Sequence, residues 1–208
     1  MDENIKKGTT IVGLMCQDGI ILAADSRATY QGGFIANKES RKVWKIDTNL
    51  GMLIAGSVGD AQEIIRILKL HNEIYKMNEL KPLSPKSAVS LLSIVLNNNK
   101  MMPFYIGLIV GGIDIDGKPQ LYNLDALGGY TDESKFTASG SGMEVALGYL
   151  EESYKEGCLV KDSIKTAAKA IFTAMKRDAN SGDNVLLAAI TKEGYTEYSG
   201  KDLEKYTK

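Results

Sequence analysis

The strands of this chain are apolar along their whole length, and that limits what can surround them. Gly19-Ile20-Ile21-Leu22-Ala23-Ala24 and Met52-Leu53-Ile54-Ala55 lack the polar alternation of a strand with one wet face, so the sheets they form must be covered on both sides. The covers are also legible. Apolar residues at Ala61, Ile64, Ile65, Leu68 and Tyr75 predict a helix over 61–75, with Asp60 as its N-cap. Ser84-Pro85 opens a second helix, because proline at the first helical position loses no hydrogen bond. Its stripe is Ala88, Leu91, Leu92, Val95 and Leu96, and Asn97-Asn98-Asn99 marks its end. Strands are predicted at 105–113, 120–124 and 135–138. Two further helices follow at 143–154 and 162–177, then a strand at 185–190 and a polar tail at 201–208. Strands grouped with helices in pairs argue against alternating β-α units and for an α+β fold with sheets inside and helices outside. Between the first two strands lies Gln17-Asp18-Gly19, a hairpin signal that predicts positive φ at the glycine.

A length of 208 residues fits one domain. With a formal net charge of −1, bulk electrostatics favours neither a nucleic acid nor an anionic membrane as partner. No apolar run approaches the ~20 residues of a membrane span. The opening MDENIKKGTT has no apolar core of the secretory kind, so the expected compartment is cytoplasmic. Cys16 and Cys158 are too few for a disulfide scaffold and fit no zinc spacing, leaving packed or surface thiols.

The single histidine, His71, restricts the chemistry. It falls on the apolar stripe three residues after Leu68, and no nucleophile motif accompanies it for a serine- or cysteine-histidine hydrolase. Gly140-Ser141-Gly142 lacks the lysine and hydroxyl residue that would complete a phosphate loop. Any hydrolytic base must come from elsewhere.

Gly8-Thr9-Thr10-Ile11-Val12-Gly13 leads straight into the first strand and resembles the processing junction of proteasome β subunits, of the archaeal type. In that family the peptide bond before the first threonine is cut, and the freed threonine supplies both nucleophile and base. Its hydroxyl attacks and its own α-amine, with an unperturbed pKa of ~7.7–8.0, takes the proton. No histidine is needed. The resemblance extends from Thr9 to Ile190 through several motifs in the family's order. Ala23-Ala24-Asp25-Ser26-Arg27-Ala28-Thr29 is similar to its second-strand motif and puts Asp25 at the catalytic aspartate. Ser40-Arg41-Lys42-Val43 is similar to the lysine segment, with Lys42 a better match than Arg41, although this chain is one residue longer around Gln31-Gly32-Gly33. Ile54-Ala55-Gly56-Ser57-Val58-Gly59-Asp60-Ala61-Gln62 is similar to the strand-to-helix turn, where the Gly56 N–H would form the oxyanion hole. Ser139-Gly140-Ser141-Gly142 and Arg177-Asp178-Ala179-Asn180-Ser181-Gly182-Asp183 match the loops that bring Ser141, Asp178 and Ser181 beside the threonine.

The resemblance implies a four-layer αββα sandwich of two antiparallel sheets flanked by helix pairs, the N-terminal-nucleophile hydrolase fold. It implies a propeptide over residues 1–8, a cut between Gly8 and Thr9, and one domain over 9–208. Lys42, held charged by Asp25, would lower the pKa of the Thr9 hydroxyl and keep the α-amine neutral. Gly8, without a Cβ, would permit the tight turn that brings its carbonyl to the Thr9 hydroxyl. A pocket of Ala28, Ser40, Trp44, Ile54, Val58 and Gln62 would take the residue before the cut, large and apolar by its lining, although Trp44 could equally be core. No metal or organic cofactor is implied. The implied partners are heptameric β rings, one subunit type or several, between outer α-subunit rings, with a ring ATPase feeding unfolded polypeptides. Three alternatives remain: a non-catalytic structural β subunit, the bacterial two-ring relative, and a small-amide hydrolase of the same fold.

Overall fold

The computed structural model describes residues 8–30 and 33–207. Strand β1 (Thr10–Cys16) and β2 (Gly19–Asp25) form the expected antiparallel hairpin, with Cys16 opposite Gly19. The reason for its glycine differs from the expectation. Gly19 does not have positive φ; a Cβ there would overlap the Ile190 carbonyl oxygen of the neighbouring strand. Next come the short β3 (Ala28–Thr29), β4 (Ile35–Asn37) and β5 (Val43–Asp47), then β6 (Leu50–Gly56), α1 (Val58–Glu79) and α2 (Pro85–Asn98). A run of strands, β7 (Ile106–Ile113), β8 (Pro119–Leu124), β9 (Tyr130–Asp132) and β10 (Phe136–Gly140), leads to α3 (Met143–Ser153) and α4 (Val160–Met175). The chain ends in β11 (Val185–Thr191), β12 (Gly194–Tyr198) and α5 (Gly200–Thr207).

Two five-stranded sheets result, ordered β10-β1-β2-β11-β12 and β5-β6-β7-β8-β9, and every pairing is antiparallel. Period-two alternation sorts their residues. On β1 and β2, Ile11, Ile20, Leu22 and Ala24 face the second sheet and meet its Leu53, Ile109 and Leu121. Val12, Leu14, Ile21 and Ala23 face the other way, onto Ile164, Ala167 and Ile171 of α4. The second sheet turns Met52, Ile54, Leu108 and Val110 onto Ile64, Leu68, Leu92 and Leu96 of α1 and α2. The layers are therefore α3/α4, sheet, sheet, α1/α2, the αββα sandwich. This explains the missing polar alternation: both faces of both sheets are covered.

Several local expectations change. Helix α1 is capped by Ser57, whose hydroxyl accepts from the Asp60 N–H at 3.5 Å; Asp60 lies in the first turn and accepts instead from the Tyr105 N–H at 2.8 Å. His71 is exposed, because the buried stripe continues from Leu68 to Asn72. The expected polar tail is strand β12's sequel, helix α5, anchored by the buried Leu203. Cys16 and Cys158 carry no disulfide. No helix among the described residues is long and apolar enough to cross a membrane. The expected propeptide lies, except for Gly8, outside the described residues.

Candidate active site

At one edge of the sandwich the strand ends converge: β1 starts after Thr9, β2 ends in Asp25, β5 starts after Lys42, β6 ends at Gly56 and β10 ends before Ser141. Asp25 anchors the cluster. Its carboxylate is fully buried and accepts four hydrogen bonds. Oδ1 takes the Lys42 ammonium at 2.8 Å and the Thr10 N–H at 2.9 Å. Oδ2 takes the Gly182 N–H at 2.9 Å and the Arg27 N–H at 3.1 Å. A carboxylate has about four lone-pair sites, so each is matched. The Lys42 ammonium is itself buried. Burial pulls its pKa below the ordinary lysine value, and the touching Asp25 carboxylate pulls it back only in part. Arg41, its neighbour in sequence, turns away: it donates to Glu197 at 2.7 Å and lies over the Trp44 ring at 5.1 Å. The structure thus brings Lys42, not Arg41, to Asp25.

Thr9 is buried, and its hydroxyl donates to the carbonyl oxygen of Gly8. Ser141 brackets its backbone. The Thr9 N–H donates to Ser141 Oγ at 3.2 Å, and the Thr9 carbonyl accepts from the Ser141 N–H at 2.7 Å. Asp178 Oδ2 accepts from the hydroxyls of Ser141 at 2.5 Å and Ser181 at 2.6 Å. Ser181 Oγ also lies 2.8 Å from the Thr10 hydroxyl. A polar chain thus runs from Thr9 through Ser141, Asp178 and Ser181 to Thr10, and Thr10 returns it to Asp25. Thr10 was not among the sequence-derived site residues, and neither was Arg27, whose guanidinium binds Asp183 at 3.0 Å and the Ala179 carbonyl at 3.1 Å. A threonine opening a strand and an arginine after one are ordinary. Only the long-range pairing reveals them.

On the other side of Thr9 opens a cleft of about 760 Å³. Its lining includes Gly8, Thr9, Lys42 and Gly56 together with all six expected pocket residues, Ala28, Ser40, Trp44, Ile54, Val58 and Gln62. Trp44 combines both of its readings, packed on the helix-side core and facing the cleft. Ser141, Asp178 and Ser181 are not among the lining residues. Gly56 has φ +131°, and a Cβ there would overlap the Tyr105 carbonyl oxygen, so the backbone at the cleft wall requires glycine. Among the described residues no group of three or more His, Cys, Asp or Glu is arranged to hold a metal ion.

A four-layer αββα sandwich with a threonine at the head of its first strand has the architecture of the N-terminal-nucleophile hydrolases. The model of the family described as proteasome subunit matches residues 5–190, and this chain belongs to that family. Its relatives include proteins named proteasome subunit beta. One from Methanococcus vannielii is 47% identical, covering 97% of this chain and 92% of that protein. One from Methanocaldococcus fervens is 46% identical over 97% and 90%, and one from Methanosarcina barkeri 42% over 95% and 93%.

Proposed function

We propose that this chain is the catalytic β subunit of a proteasome core particle, a threonine-type endopeptidase that removes its own residues 1–8. The observation that carries the reading is the Thr9 hydroxyl held on the Gly8 carbonyl at the wall of a cleft it shares with buried Lys42. In the self-cleavage, the Thr9 hydroxyl oxygen adds to the Gly8 carbonyl carbon and gives up its proton. Collapse of the adduct breaks the C–N bond, leaves Gly8 as an ester on Thr9 and returns a proton to the freed amine. Water then hydrolyses the ester. In turnover, the α-amine of Thr9 takes the hydroxyl proton directly or through water. Lys42, paired with Asp25, disfavours a second positive charge nearby and so favours the neutral amine. Ser141, Asp178 and Ser181 orient the amine, and the Gly56 N–H stabilises the oxyanion, a role worth ~3–4 kcal/mol per donor.

Family membership and beta-named relatives support assembly with α subunits into core rings. We extend this to heptameric β rings in a four-ring barrel, a cytoplasmic setting, a ring ATPase as regulator and unfolded polypeptides as substrates. The apolar wall of Ile54 and Val58 beside small Ala28 supports cleavage after large apolar residues; a peptide panel preferring acidic or basic residues would overturn that specificity.

The test is intact mass after co-assembly with α subunits. Wild type should lose residues 1–8 and Thr9→Ala should keep them. Uncut wild type in complete particles would favour a structural subunit instead.

A further inference from the structure

Thr29, at the end of β3, carries a buried hydroxyl with no hydrogen-bond partner among the described residues. A buried polar atom left unpaired in this way calls for a physical reason. The position of Thr29 supplies one. It lines the same cleft as Thr9, and its Oγ1 is pressed against Gly8: a Cβ built on Gly8 would overlap that oxygen. The Asn180 Cβ and carbonyl oxygen also crowd the same imagined Cβ, at 2.9 and 3.0 Å, a second and much looser contact than that of the Thr29 hydroxyl. The pairing of β3 with β4 shifts register between Ala28 and Thr29, an irregularity of the kind that re-aims a side chain.

We infer that Thr29 is a specificity-determining residue for the self-cleavage: its hydroxyl excludes any side chain from the residue before the scissile bond and holds Gly8 with its carbonyl on the Thr9 hydroxyl. The inference rests on the self-processing reading above. It adds a cause for the glycine that lies outside the turn geometry of Gly8 itself. The unpaired state of the hydroxyl lasts only while Gly8 is in place; once residues 1–8 leave, Oγ1 faces the open cleft and water.

The test follows processing by intact mass over time in particles co-assembled with α subunits. Gly8→Ala should slow the cut by about ten-fold or more, the scale of an overpacked contact. Adding Thr29→Ala should recover part of that loss, the Asn180 contact keeping the remainder, and adding Thr29→Ser, which keeps the hydroxyl, should recover none. Thr29→Gly in the Gly8→Ala background gives a second reading if the alanine variant does not assemble. Gly8→Ala cut at the wild-type rate would overturn the inference, and so would a double variant with Thr29→Ala as slow as Gly8→Ala alone, or equal rescue by serine. Uncut wild type, or a cut Thr9→Ala chain, would instead remove the self-processing reading on which it stands.

Discussion

Lys42 and Asp25 form an ion pair almost without water, with side chains 6% and 0% exposed. Removing one partner of such a pair leaves a bare buried charge, so Lys42→Met should cost about 3–5 kcal/mol of stability at neutral pH. Its pH dependence has a definite sign. The folded-state pKa of Lys42 lies below the unfolded value of 10.5. Between the two the unfolded chain binds more protons, so the stability due to this residue rises with pH across that interval and is level below it. Urea midpoints for wild type and Lys42→Met should therefore diverge further as pH is raised from about 7 to about 10; a gap that narrows would contradict the burial-lowered pKa. At this scale the sequence was informative wherever a motif was continuous, as at Ala55-Gly56-Ser57. It was least informative at Thr10, Thr29 and Arg27, whose contacts with Ser181, Gly8 and Asp183 join segments separated in sequence.

The helix starts differ in how well they are closed. At α2 the Ser84 hydroxyl accepts from the Ser87 N–H at 3.1 Å and Pro85 pre-sets the first turn, whereas at α1 the Ser57 hydroxyl reaches the Asp60 N–H only at 3.5 Å. Ser84→Ala should cost about 1 kcal/mol and Ser57→Ala less, an order that urea unfolding at fixed pH would check. Helices and long strands were legible because their apolar periodicity persists for several turns or residues. The missed elements, β3, β4, β5, β9 and β12, run from two to five residues, too short for alternation to establish itself. Helix α5 was missed for a related reason: its seat rests on Leu203 in an otherwise polar stretch.

Across the whole molecule, stability depends on the seam between the sheets. Ile109, on the central strand β7, is fully buried there against residues of the opposite sheet. Ile109→Ala should cost about 2–5 kcal/mol, and a urea midpoint close to wild type would mean that the seam closes around the cavity. The layered arrangement was readable from the unbroken apolar strands and the paired helices; the strand order was not, since it depends on pairings such as β1 with β10 across most of the chain. That long closure has a consequence in time. The Asp25 carboxylate is completed by the Gly182 N–H, 157 positions later, and Thr9 is bracketed by Ser141, 132 positions later. A ribosome delivers the chain from its N-terminus, so Thr9 emerges first and the loop at Asp178 among the last. Under the self-processing proposed above, synthesis would impose its own safety interval: a half-made chain holds a threonine without the residues that surround it in the fold, and the cut would wait until nearly all of the domain exists to fold around it.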